Sequence, residues 1–140
     1  MTVARILIVA GSDSGGAAGI QADIKTVTLL GGHAMTAITA ITAQNTLGVA
    51  AVHPVPVEMV IAQIDAVVSD LGVDAIKIGM IGSAAIAEAV AARLDQPDLA
   101  KVPVVFDPVM IATSGSRLAS EDGIASFGRL MRRATVSTPN

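Results

Sequence analysis

The chain alternates between short continuous apolar runs and longer stretches in which apolar residues recur every three or four positions. Ile6, Leu7, Ile8 and Val9 read as a strand buried on both faces, and a glycine-rich turn, Gly11 to Gly16, leads into a helix that ends at the paired Gly31 and Gly32. Met35 to Ala43 alternates in a strand-like way, and Val49 to Val52 forms a short second strand before Pro54 and Pro56. A helix follows Pro56, with Val60, Ile64, Val67 and Leu71 at helical spacing. Asp74 to Ile78 is the next strand; Ser83 caps a helix carrying Ile86, Val90 and Leu94; Pro103 to Phe106 is a further strand. Ser120 caps a last helix through Arg132, where Arg132 and Arg133 suit the negative end of the dipole, and Thr135 to Ser137 closes the series.

Repeated β-α alternation predicts an open, mostly parallel, Rossmann-like α/β sheet with helices on both faces. No linker, low-complexity segment or fixed-period repeat divides the 140 residues, so one domain is expected. The sequence reaches Thr138, Pro139 and Asn140 directly after a strand, where an α/β enzyme places further site residues, so the domain is expected to be incomplete at its C-terminus.

Composition narrows the function. A content of 52% hydrophobic and 15% charged residues is that of a globular core, and the apolar runs are strand-sized, well short of the roughly 20 residues of a spanning helix. No membrane association is expected, and the N-terminus lacks the basic region of a secretory signal, which points to the cytoplasm. The absence of cysteine rules out thiolate nucleophiles and Cys-based zinc sites within these residues. A net charge of −3, no basic cluster and only two aromatic residues, Phe106 and Phe127, argue against nucleic acid and for a small-molecule ligand.

Open α/β sheets bind ligands beyond the carboxyl ends of their strands. Those ends are polar or glycine-rich: Gly11 to Asp13, Gln44 and Asn45, Gly79 to Gly82, Asp107 to Met110, and Thr138 to Asn140. Gly15 and Gly16 before a helix invite a phosphate at exposed backbone amides, yet neither the dinucleotide fingerprint nor the phosphate loop is present. Asp23 is the clearest signal. At 100° per residue it shares a face with Gly16, Ile20, Ile24, Val27 and Leu30, the face such a helix turns toward a sheet. An ionised group there needs partners; Lys25 and Thr26 are the nearby ones, and the alternative is a ligand. Gln44 carries a donor and an acceptor on one amide and suits an aminopyrimidine-like edge. Met80 offers an adaptable apolar contact or simple core packing. Asp107 ends a buried strand before Pro108, so its carboxylate projects into the crevice as a magnesium or phosphate neighbour, or else forms an Asx-type turn. Lys77, odd within an apolar strand, snorkels or pairs with an acid and receives no catalytic role. His33 and His53 lack an acid at triad or metal-ligand spacing and read as structural.

Five ordered segments, Ala10-Gly-Ser-Asp-Ser-Gly-Gly through Gly19-Ile-Gln-Ala-Asp23, Ala40-Ile-Thr-Ala-Gln-Asn-Thr46, Lys77-Ile-Gly-Met80, Asp107-Pro-Val-Met110 with Ser114-Gly115, and Thr138-Pro-Asn140, resemble the hydroxymethylpyrimidine and phosphomethylpyrimidine kinases of thiamine biosynthesis, within the ribokinase-like superfamily. The resemblance implies ATP-dependent phosphorylation of 4-amino-5-hydroxymethyl-2-methylpyrimidine and then of its monophosphate. It implies that Gly11, Asp23, Gln44, Met80 and Val109 line the pyrimidine site, that Asp107 lies near phosphates and Mg2+, and that Asn140 opens the Asn-x-x-Glu motif that organises magnesium. The family's catalytic base and its glycine-rich anion hole belong to the C-terminal half, so no catalytic residue is expected among these 140 and the chain alone is expected to be inactive. Ala17 departs from the glycine of many relatives. A complete chain is expected to form a homodimer. A pyridoxal kinase and a non-catalytic pyrimidine-binding remnant are the alternatives.

Overall fold

The structure is a computed structural model that describes residues 2–109 and 121–139. Its elements run β1 (Arg5–Asp13), α1 (Gly19–Leu29), β2 (His33–Asn45), β3 (Gly48–Pro54), α2 (Val57–Asp70), β4 (Ala75–Ile78), α3 (Ala84–Leu94), β5 (Val104–Phe106), α4 (Glu121–Arg133) and β6 (Val136–Ser137). They form one six-stranded sheet in the order β3-β2-β1-β4-β5-β6. All neighbouring pairs are parallel except β2 with β3, a hairpin that puts an antiparallel strand at one edge. The expected mostly parallel α/β sheet is therefore what forms.

β1 is the central strand and its residues split between two cores by period-2 alternation. Leu7 and Val9 join Ile76, Ile78, Val104 and Phe106 beneath α2, α3 and α4, whereas Ile8 and Ala10 pack with Ile20 beneath α1. Phe106 and Phe127 meet edge to face, with centroids 5.5 Å apart at 86°. Helices thus cover both faces, three on one and α1 on the other.

The local signals largely hold. The Ser83 hydroxyl accepts the Ile86 amide at 3.2 Å, and Pro56 precedes the first residue of α2. α1 begins later than its glycine turn, at Gly19, whose φ of +57° and close approach to the Gly11 carbonyl, 2.3 Å from where a Cβ would stand, leave room for no side chain. At the other end Leu30 lies past the helix and is 83% exposed, so it does not share the buried face with Ile20 and Ile24. Gly31, at φ +81°, turns the chain out first, as the Gly32 amide bonds back to Val27 O at 2.9 Å. Where β2 runs past its pairing with β3, Gln63 from α2 takes the place of a neighbouring strand. Its side chain accepts the Ile38 amide at 2.9 Å and donates to the Ile38 carbonyl at 3.2 Å. The Ser120 cap falls outside the described residues.

Candidate active site

A cavity of about 630 Å³ opens at the carboxyl ends of the parallel strands, within the range of small-molecule pockets. Gly11, Asp23, Gln44, Met80, Asp107 and Val109 all line it. They arrive from β1, α1, β2 and the segments that leave β4 and β5, so the sheet topology brings together residues almost a hundred positions apart. Asn140 lies outside the described residues, as do Met110, Ser114 and Gly115.

The glycine turn is built around Asp13, a residue the sequence placed in a motif without giving it a task. Its carboxylate accepts the amides of Gly15 at 2.8 Å, Ala17 at 2.9 Å and Ala18 at 2.8 Å, and its carbonyl accepts the Gly16 amide at 3.0 Å. The phosphate reading of this turn is corrected by that arrangement: the amides that would hold an anion already hold one. Burial pushes the Asp13 carboxyl up, and the amides of Ala18, Gly15, Ala17 and Gly16 outweigh it, leaving the group below the ordinary carboxylate range. Only 4% of the residue is exposed, yet its own turn supplies that cover, close beneath the surface. Because Ala18 at the N-cap of α1 has no side-chain oxygen, Asp13 also supplies the negative charge that the helix start favours. Gln21 completes the turn, accepting the Asp13 amide at 2.8 Å and donating to the Ser12 hydroxyl at 2.7 Å.

Asp23 does not pair with either neighbour that the sequence offered. Lys25 reaches the Gly16 carbonyl at 2.7 Å and the Thr26 hydroxyl reaches the Ala22 carbonyl at 2.9 Å. Its partner is Lys77 on β4, with Nζ 2.7 Å from Oδ2. Alternation explains the meeting: Ile76 and Ile78 point into the core under α3, so Lys77 points to the α1 side. The signal was present in the sequence as an Ile-Lys-Ile strand.

The Gln44 backbone is clamped by Ser14, whose hydroxyl receives the Gln44 amide at 2.7 Å and donates to its carbonyl at 2.6 Å. Its side-chain oxygen has only a long 3.4 Å contact with the Thr42 hydroxyl, and among the described residues its amide nitrogen has no hydrogen-bond partner. Met80 is buried and forms an apolar wall beside Gly11, where a Cβ would come within 3.3 Å of its sulfur. The buried Thr39 hydroxyl donates to the Met80 carbonyl at 2.6 Å and fixes that segment. Asp107 is half-buried at the mouth; its backbone amide extends the β4 ladder to Ile78 O at 2.9 Å, and its side chain makes no hydrogen bond among the described residues, which leaves the Asx-turn alternative without support. No group of three or more acidic or histidine side chains forms a metal cluster among the described residues. His33 and His53 are exposed strand residues away from the cavity.

The family model described as phosphomethylpyrimidine kinase matches residues 13–140. The chain is 50% identical to the hydroxymethylpyrimidine/phosphomethylpyrimidine kinase of Mycobacterium tuberculosis over 141 residues, covering 100% of this chain and 51% of that protein. It therefore spans about half the length of the curated relatives it matches. Among solved structures, it superposes on the phosphomethylpyrimidine kinase of Clostridium difficile with a TM-score of 0.88 at 40% identity, covering 99% of this chain and 59% of the other. It superposes on the Staphylococcus aureus pyridoxal kinase in complex with AMP-PCP and pyridoxal with a TM-score of 0.80 at 33% identity, covering 100% and 49%.

Proposed function

The chain belongs to the phosphomethylpyrimidine kinase family, and from that premise we propose that its cavity binds 4-amino-5-hydroxymethyl-2-methylpyrimidine and its monophosphate as acceptors of a phosphoryl group from ATP. One observation carries the reading: a single cavity joins the Asp23 carboxylate and the Gln44 amide, whose Oδ1 and side-chain nitrogen respectively have no hydrogen-bond partner among the described residues, beside the apolar wall of Met80. An aminopyrimidine presents an apolar ring, an exocyclic amine that donates and ring nitrogens that accept. Asp23 accepts from the amine or hydroxyl, Gln44 addresses the ring edge bidentately, and Met80 and Val109 cover the ring face.

ATP, when bound, supplies the transferable phosphoryl group. The glycine turn does not fit its phosphates, because Asp13 occupies the amides, so the described residues suit the acceptor rather than the nucleotide. Asp107 fits as one carboxylate toward Mg2+, an ion that is commonly held by one or two carboxylates together with phosphates. No described residue takes the part of catalytic base. Phosphoryl transfer depends on positioning and on stabilising charge, so our reading assigns the base and anion hole to protein outside these 140 residues and gives the chain alone substrate binding without turnover.

Calorimetry with the hydroxymethylpyrimidine, on this chain and on Asp23→Ala, tests the reading, with ATP turnover followed in the same samples. We expect binding to weaken about thirtyfold on substitution, the loss of one strong hydrogen bond to a charged group. Equal affinity in both proteins would remove Asp23 from the site. Tighter binding of pyridoxal than of the pyrimidine would move the assignment to the pyridoxal kinases, whose solved structures share this fold.

A further inference from the structure

Lys77 stands in the middle of β4 between Ile76 and Ile78, which are 1% and 0% exposed. Its Nζ lies 2.7 Å from Asp23 Oδ2, the two side chains being 26% and 20% exposed. Ordering a long lysine side chain costs rotamer freedom, and an ion pair so open to solvent returns little stability. The surrounding wall is nevertheless shaped to admit it. A Cβ on Gly79 would come to 3.0 Å from Nζ and 3.1 Å from the Ala10 Cβ, so the glycine keeps the ammonium in its place. Both partners line the cavity.

The pair has two effects on a ligand. Holding Oδ2 orients the carboxylate, and among the described residues Oδ1 has no hydrogen-bond partner. The ammonium also cancels the carboxylate's charge. Among the described residues the lining contains Asp13, Asp23 and Asp107 against one cation, Lys77, and Asp13 is already solvated by amides. Without Lys77 the described lining would carry the Asp23 and Asp107 carboxylates uncompensated, which favours cations over neutral molecules.

We infer that Lys77 is a positioning and specificity residue: by holding and neutralising Asp23 it makes the cavity select a neutral amine donor over a cation of the same shape. The inference rests on the reading of the cavity as the aminopyrimidine site. Calorimetry at about pH 8 tests it, using the neutral hydroxymethylpyrimidine and its N-methylated pyrimidinium analogue on the chain and on Lys77→Met, Lys77→Arg and Gly79→Ala. Lys77→Met should bind the neutral ligand about tenfold more weakly and the cation about tenfold more tightly. Lys77→Arg should restore the original preference, and Gly79→Ala, which keeps the charge but displaces it, should fall between. Parallel weakening of both ligands, or no change in either, would overturn the inference. Should Lys77→Met fail to melt cooperatively, the other two variants decide: equal preference in the parent chain and Gly79→Ala would overturn it. A parent chain that binds neither pyrimidine would defeat the proposed function, whereas gain of the cation by Lys77→Met would still support charge neutralisation by Lys77.

Discussion

On one face of the sheet Leu7, Val9, Ile76, Ile78, Val104 and Phe106 lie under α2, α3 and α4, none more than 1% exposed. On the other, α1 covers Ile8 and Ala10, and beyond β1 the same face carries Lys77, then Val105 and Val136 in register beside it. The same strands supply both faces, so propensity and backbone pairing are held constant and only the covering differs. The covered face is continuous and apolar, which is what stability asks of it. The opposite face is interrupted by charge at Lys77 where it reaches the cavity, and the carboxylate that answers it comes from the covering helix. Cohesion and, in the proposed reading, recognition fall on opposite sides of one sheet.

Substitutions that act on one face should separate those two tasks. The largest effect is expected at Phe106, which is fully buried against Phe127 and directly precedes Asp107. Phe106→Ala should lower unfolding stability by about 3–5 kcal/mol in denaturant titration, through lost burial and the cavity left behind. A cost comparable to that of an exposed position would mean that this core is loosely packed. Asp13→Ala should come next, at about 3 kcal/mol, because three amides lose their acceptor near the surface of the site rather than in the main core. It also has a pH signature. The folded carboxyl of Asp13 titrates below its ordinary value of about 3.9, so its contribution is full above that pH and is lost as the pH falls through the lowered value. Asp74, hydrogen-bonded by Arg5 and brought to about 2, contributes in the same direction. Stability should therefore decline between roughly pH 4 and pH 2, and Asp13→Ala should remove only its own share of that slope. An unchanged acid limb in the variant would contradict the amide cage.

Much of the covered face was legible, because burial writes itself into sequence as period. Ile6 to Val9 announced a doubly buried strand, and Val60 with Ile64, like Ile86, Val90 and Leu94, announced the helices above it. Asp23 was legible for the opposite reason, as a violation of the apolar pattern on α1. Its partner was not, since Lys77 lies 54 residues away and becomes a neighbour only when β4 pairs with β1 beneath α1. The sequence offered an acid as one possible partner for Lys77, but not which acid, because that depends on the helix lying over β4. Leu30 misled because spacing carries no mark of where a helix stops, and Gly31 ended it first. The cage around Asp13 could not be read either: glycine, serine and alanine in a turn are equally compatible with amides aimed at a ligand and amides aimed inward.

β5 offers the smallest and most direct test of the contrast, because its consecutive valines differ in face and in little else. Val104 is fully buried beneath α4, whereas Val105 is 38% exposed beside Lys77 and Val136. Threonine has nearly the shape of valine and suits a strand equally well, so Val→Thr changes chiefly whether a hydroxyl must be buried. At Val104 the hydroxyl enters the main core, and a loss of about 2 kcal/mol is expected. At Val105 water can still reach it, and the change should stay within about 0.5 kcal/mol. Paired denaturant curves measure the difference between the two variants, in which errors of extrapolation largely cancel. If Val105→Thr costs as much as Val104→Thr, the face around Lys77 is covered in solution after all. A sizing measurement on the same samples would then report whether a second copy provides the cover.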